Sequence, residues 1–436
     1  YLRNLPFIYA ATCNFLRWDA AETSGGEMMW AERNGGCIGI ISATRPVYIT
    51  DNGYFTNAMG RSIGVRDASG RFLRAGDVYR RAKNDIRRGQ TAPIADDKNR
   101  LRYVFCGDPA LKLVTPSNLV RVDSIDGKPF NPDDQPTLAA LQRARVSGHV
   151  EDPSGNLLAD FSGTATLELY DAERSLTTAG NNEGDIYTFD TQGAKLLSVS
   201  APVSAGRFTA TLAMPANIAD NFRPATLNMY ACEDGAGTRE AIGVSRDLYA
   251  YGVDETGVPD TTPPSIDRFQ LNHSGFSSGD AVSTHSPMVL ASVSDDVGIN
   301  ISSAGIGRQI TLMMDSTVTY SDVALYYRPH ADGTPGGTIN YPMPDVAEGL
   351  HTLRLRVWDT SGNPAEQSIE FFAKADIAPQ IFDLYCDANP ARTTAGFYIT
   401  HDAPDATVTV TVSVYNMLGN PVWTRTERGR SDMFTT

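Results

Sequence analysis

The stretch Leu5-Pro6-Phe7-Ile8-Tyr9-Ala10-Ala11-Thr12-Cys13-Asn14-Phe15 decides how the N-terminal part of the chain is read. Its first eight residues form a near-continuous apolar run, the pattern of a strand buried on both faces, as in a parallel sheet covered by helices. A polar turn follows at once, and it carries a thiol. In open α/β sheets ligands bind outside the carboxyl ends of the strands. A side chain in the first turn after such a strand is exposed while its backbone stays rigid, which is where a nucleophile belongs.

Working outward, Gly26 to Arg33 predicts a short helix ended by Asn34-Gly35-Gly36. Cys37 to Ala43 is a second apolar run of strand length. Asp77 can cap a helix with the apolar stripe Val78, Ala82 and Ile86, and Arg87, Arg88 and Gly89 suit its end. Arg102 to Cys106 is a third strand. The order strand, helix, strand, helix, strand is an α/β pattern over residues 1–115, and its abrupt start predicts the back half of a larger sheet.

Beyond about residue 116 the helical period disappears. A Pro/Asp-rich stretch, Asp126 to Asp134, predicts a linker or long loop, and Thr137 to Arg145 is open to a helical reading. Then strict alternation sets in. Ala165, Leu167 and Leu169 lie on one face, as do Phe208, Ala210 and Leu212, and later Leu353, Leu355 and Val357. With turn clusters between such runs, this predicts β-sandwiches. Asp260-Thr261-Thr262-Pro263-Pro264 is a stiff boundary, and another falls near Lys374-Ala375-Asp376. The expected fold class is therefore α/β followed by all-β. The expected domains are 116–259 and 260–375 as Ig-like β-sandwich modules and 376–436 as an incomplete C-terminal β module, in which Val408, Val410, Val412 and Val414 share a face.

Composition narrows the function. A net charge of -14 argues against nucleic acid, which needs a basic footprint. The basic face of Arg80, Arg81, Lys83, Arg87 and Arg88 is then expected to be solvated. Five scattered cysteines without a CxxC pair exclude a dense disulfide framework and a zinc finger. All six histidines lie at position 149 or later, none at a metal-binding spacing. Asp295-Asp296-Val297-Gly298 and Asp359-Thr360-Ser361-Gly362-Asn363 cluster oxygens in a way that suits calcium, yet Asp and Asn are ordinary turn formers and the EF-hand spacing is missing. No metal site and no cofactor are expected.

Cys13 is the candidate nucleophile. A thiol at its ordinary pKa is only slightly ionised at neutral pH, so it needs a histidine or a local positive field. Backbone N–H groups of its turn, that of Cys13 included, could hold the oxyanion of a tetrahedral intermediate. Position alone does not decide the matter, since a cysteine at a strand end is usually a small buried hydrophobe. Cys37 and Cys106 are expected to be of that inert kind, and Glu27 to serve the helix dipole.

Five pieces in order carry a resemblance: Ala11 to Phe15, Arg17-Trp18-Asp19, Ser24 to Met28, Gly35 to Tyr48, and Phe105 to Leu113. With them, residues 1–115 resemble the end of the catalytic domain of gingipain-type cysteine peptidases, which have a caspase-like fold, and within that family the sortase branch of the type IX secretion system. The resemblance implies that Cys13 is the catalytic residue and that the general base is a histidine of a His-Gly motif upstream of Tyr1. This chain alone is then expected to be inactive unless the upstream half of its catalytic domain is bound. Asn14, Thr44 and Arg45 are the candidate substrate-binding residues. Thr44-Arg45-Pro46 leaves the second strand at the same edge as Cys13, and Arg45 can meet either a substrate carboxylate or a structural partner. The resemblance further implies protein substrates with C-terminal secretion signals, transfer of cargo to anionic lipopolysaccharide, an outer-membrane β-barrel partner and a place on the outer face of the cell. Two other readings compete: a β-rich adhesin or scaffold with an inactive peptidase remnant, and a gingipain-like digestive protease.

Overall fold

The computed structural model describes residues 5–32, 36–68, 70–87, 97–113, 116–181, 184–234, 239–257, 260–283, 287–302, 307–375, 377, 381–386, 396–401 and 407–430. The helix stops expected at Asn34-Gly35 and Gly89, the boundary residue Asp376 and the last residues of the chain lie outside them. The chain divides into two compact units, residues 1–117 with 152–155, and the remainder.

The first unit is built on three strands, β1 (Phe7–Ala10), β2 (Gly39–Ala43) and β3 (Tyr103–Gly107), in the order β1-β2-β3. β1 runs parallel to β2, with Ala10 beside Ser42. β3 runs antiparallel to β2, with Tyr103 beside Ala43. The sheet is therefore mixed, not parallel as the apolar runs predict. Only central β2 is buried along its whole length, whereas every residue of β1 is half-buried. A continuous apolar run reports a strand's chemistry but not whether it has a neighbour on each side.

Among the described residues, four helices accompany the sheet: α1 (Gly25–Ala31), α2 (Ile49–Ile63), α3 (Ala75–Arg87) and α4 (Asp97–Arg102). α2 has no counterpart in the sequence reading. Gly53, Gly60 and β-branched Ile49, Thr50 and Thr56 give it poor intrinsic propensity. Tertiary burial of Phe55, Ala58, Met59 and Ser62, one face at helical spacing, holds it. That face packs with Val78, Ala82 and Ile86 of α3 on Ile41, Ala43 and Tyr103. Ile40 and Cys106 point to the other face and meet Leu16 and Cys37. Asp77 is not a cap, because α3 begins two residues earlier; it pairs with Arg80 in the first turn. Lys83 departs from the solvated basic face. Its Nζ donates to the carbonyl of Tyr103 at 2.8 Å and sits 4.4 Å from the ring centre of Tyr79, and burial followed by the charge of Arg100 pulls its pKa down to about 8.

In the second unit, seven strands follow the order 195–203, 163–170, 224–233, 240–253, 118–125, 143–151, 207–213. The two outermost are consecutive in the chain and joined by a tight turn in which Ser204 and Arg207 exchange both backbone hydrogen bonds. The sheet therefore curls until its ends meet around one core. Ala165, Leu167 and Leu169 are fully buried there, with Phe208, Ala210 and Leu212. Thr137 to Arg145 is not helical: Thr137–Ala140 and the start of Arg143–Glu151 are strands. Nor is Asp126 to Asp134 a linker, since Asp126-Gly127 turns a hairpin within this sheet, both with positive φ.

A four-stranded sheet (265–271, 288–294, 336–342, 327–329) and a five-stranded sheet (281–283, 364–374, 349–358, 311–314, 318–320) enclose the next core, where Leu353, Leu355 and Val357 are fully buried. Two hairpins follow, 381–386 with 397–401 and 407–415 with 421–430. Among the described residues no helix is long and apolar enough to cross a membrane.

Candidate active site

Because β1 and β2 are parallel, both leave the sheet at one edge, and β3 enters at that edge through Tyr103. Three elements meet there. The first carries Cys13, which is exposed. Ser42 Oγ and Asn52 Nδ2 donate to the carbonyls of Ala10 (2.7 Å) and Ala11 (3.0 Å), fixing the path into the turn. Asn14 then takes a left-handed conformation, φ +56°, which asparagine tolerates, and swings the chain back under the sheet. Leu16 is fully buried as a result. Gly26 allows α1 to approach: its N–H donates to Phe15 O at 2.7 Å, and a Cβ there would lie 2.5 Å from that oxygen. Ser24 and Glu27 close a capping box at the start of α1, so Glu27 serves the helix terminus, and its hydrogen bonds from Ser24 hold its carboxyl below the usual range.

The second turn is Thr44 to Tyr48. Val47 faces the thiol: its N–H donates to Cys13 Sγ at 3.3 Å, and its carbonyl lies 3.5 Å from the same sulfur. One residue's backbone thus offers the sulfur both a donor and an acceptor. The third element is α2 with Tyr103. The phenol of Tyr103 donates to Asn52 Oδ1. Burial, then Tyr9, then the nearby Cys13 raise its pKa, so it stays a neutral donor.

Arg45 has a protein partner. Its guanidinium forks onto Asp19, Nη1 to Oδ1 at 3.0 Å and Nη2 to Oδ2 at 2.5 Å, and this pair holds the Asp19 carboxyl below its usual range. The N–H and Oγ1 of Thr44 both donate to Arg102 O, at 2.9 and 3.1 Å. The N–H of Asn14 points to Arg45 O at 3.4 Å and that of Thr12 to Ala10 O at 2.9 Å. Among the described residues no acceptor engages the N–H of Cys13. Cys37 and Cys106 are buried, and burial pushes both thiols up. Sequence reasoning missed Val47, Asn52, Asn99, Arg102 and Tyr103. The first acts through its backbone, and the rest are brought to the edge by elements far along the chain.

The aspartate turns of the second unit act as turn formers. Asp295 Oδ1 accepts from the N–H groups of Val297 and Gly298, each at 2.8 Å, and Asp359 from those of Gly362 and Asn363. Asp260, Asp295 and Asp296 bring carboxylate oxygens within 4.8 Å of one another. Asp295 Oδ2 is buried without a hydrogen bond. Burial, and then Asp359 and Asp296, raise the Asp295 pKa to about 6. Between pH 4 and 6 the folded state therefore holds a proton that the unfolded state has lost, and stability falls as pH rises through that window. Asp295→Asn keeps the acceptor and removes the charge. In metal-free buffer it is expected to flatten this slope and stabilise the second unit by about 1 kcal/mol at pH 7, after allowance for solvent screening. Thermal melts at pH 4 and 7 check it; equal slopes in both proteins would refute it.

Residues 1–114 match the model of a cysteine-peptidase family, and that defines the class of this segment. The family is peptidase family C25. Among solved structures, the chain is similar to dimeric latent PorU from Porphyromonas gingivalis, at 29% identity over 92% of this chain and 37% of that one, with a TM-score of 0.39. It is also similar to the pro- and mature domains of RgpB from Porphyromonas gingivalis, at 16% identity over 56% of this chain and 46% of that one, with a TM-score of 0.24. The chain thus spans little more than a third of the PorU chain. None of the curated proteins matches it.

Proposed function

We propose that residues 1–115 carry the nucleophile of a cell-surface cysteine endopeptidase that acts as a sortase, and that residues 116–259, 260–375 and 376–436 are its surface modules. Cys13 attacks the carbonyl at the junction of a C-terminal secretion signal, its thiolate forms a thioester with the cargo, and the signal leaves as a free amine. An amine of anionic lipopolysaccharide then takes the acyl group and regenerates the thiol. The observation that carries this reading is the exposed Cys13 sulfur with the Val47 N–H donated to it, inside a segment that matches the model of peptidase family C25. The N–H of Cys13 supplies an oxyanion donor. The general base is a histidine outside residues 1–148, which contain none. It comes from the upstream half of the catalytic domain, so this chain alone does not turn over. Docking to an outer-membrane β-barrel belongs to the same proposal.

Asn14, Thr44 and Arg45 border the approach to the sulfur. Arg45 meets a substrate carboxylate only by giving up Asp19. Asp19→Asn in the full-length protein is therefore expected to change KM for a peptide with an acidic residue by severalfold while kcat holds. An unchanged KM would confine Arg45 to structure. The test of the whole reading is product mass with and without an amine nucleophile. Amide-linked product supports the sortase, and hydrolysis alone under both conditions favours a digestive protease.

A further inference from the structure

The two peptide units that flank Val47 are both held from behind. In the Pro46–Val47 unit the N–H points at Cys13 Sγ, 3.3 Å away, while the Pro46 carbonyl accepts from Arg102 Nη1. In the Val47–Tyr48 unit the carbonyl lies 3.5 Å from the sulfur, while the Tyr48 N–H donates to Asn99 Oδ1 at 3.0 Å. A peptide unit is planar, and its C=O and N–H point in opposite directions. Gripping one end of each unit therefore sets the direction of the end that meets the sulfur. Asn99 grips twice, since its Nδ2 also donates to the Tyr48 carbonyl at 2.8 Å, and its side chain is 1% exposed. The Arg102 guanidinium lies 5.6 Å from the Tyr48 ring centre, and its carbonyl takes both donors of Thr44. All these grips come from α4, a helix more than fifty residues beyond the turn it holds.

We propose that α4 is a clamp that aims the Val47 backbone at the nucleophile, with Asn99 and Arg102 as positioning residues for Cys13. The Val47 carbonyl accepts from the thiol and its N–H donates to the thiolate, so the turn serves the sulfur in both protonation states. When the clamp loosens, the N–H drifts and the thiolate loses a donor. The proposal rests on the reading of Cys13 as the nucleophile, but its test does not require peptidase turnover.

The experiment is alkylation of this chain by iodoacetamide, with the rate at Cys13 followed by peptide mass across pH 6 to 10. Asn99→Ala and Arg102→Ala are each expected to slow Cys13 alkylation at pH 7.5 at least threefold and to move the midpoint of its pH profile upward. Asn99→Asp keeps the acceptor for Tyr48 N–H and is expected to fall between parent and Asn99→Ala. Buried Cys37 and Cys106 report on the fold in the same samples: they stay protected if only the turn has loosened. Should Asn99→Ala expose them, half-buried Arg102→Ala decides by the same criterion. A parental rate and profile at Cys13, with Cys37 and Cys106 protected, would overturn the clamp. Failure of the peptidase reading shows elsewhere, as unchanged cleavage by full-length Cys13→Ala.

Discussion

Cys13→Ala in the full-length protein is expected to end covalent capture of a thiol-directed peptidyl probe and to lower peptide cleavage by on the order of 10⁴-fold or more, the scale on which acyl-transfer enzymes lose activity with their nucleophile. Under the proposed mechanism alanine removes the atom that would form the thioester, and among the described residues the nearest hydroxyl and thiols do not replace it. Thr44 Oγ1 is occupied by Arg102 O, and Cys37 and Cys106 are buried on β2's far side. Cys13 is exposed, and apart from the Val47 contacts to its sulfur the hydrogen bonds that shape its turn are backbone bonds or come from Ser42 and Asn52. The variant should therefore fold as the parent does, and lost activity reports chemistry. Mass spectrometry of probe-treated protein gives the check. Equal labelling of parent and variant would remove Cys13 from the mechanism.

What was legible in the sequence follows the kind of force involved. The alternating runs at 165–169, 208–212 and 353–357 are read correctly because a strand with one buried face must repeat every two residues. The thiol turn was legible because a parallel βαβ connection sends both strands out at one edge; Thr44 follows its strand directly, and Cys13 lies in the turn that begins after Ala10. α2 was not legible. Its stabilisation comes from Phe55, Ala58 and Met59 finding Tyr103 and α3, contacts that no local propensity records. Lys83 looks like part of a basic surface in sequence, yet its ammonium finds a carbonyl and a ring beneath it. Val47 was invisible for a different reason. Its contribution is a main-chain N–H, which every residue but proline owns, so only the fold says where it points.

Tyr103 joins the core of the first unit to the turn that carries Cys13, and two substitutions there should separate those roles. It is fully buried, its ring 4.6 Å from that of Phe55 and 5.9 Å from that of Tyr9 between centres. Its carbonyl also takes the phenol of Tyr79 at 2.6 Å. Tyr103→Ala leaves a cavity beneath α2 and is expected to cost about 3–5 kcal/mol. Against the ~5–15 kcal/mol typical of a domain, that is enough to let Cys37 and Cys106 react with thiol reagents. Tyr103→Phe keeps the ring and removes only the donor to Asn52 Oδ1, at about 1 kcal/mol. The Phe variant should stay folded, with Cys37 and Cys106 protected. Asn52 is then held less firmly, and with it the Ala11 carbonyl two residues before Cys13, so Cys13 should alkylate at an altered rate in an intact fold. Thermal melts and thiol mapping of both variants check the pair. If Tyr103→Ala melts within 1 kcal/mol of the parent, the ring is not what holds α2 to the sheet. If Tyr103→Phe leaves Cys13 reactivity untouched, the Tyr103–Asn52–Ala11 chain belongs to folding alone, and the geometry of the Cys13 thiol rests on the Val47 side of the turn.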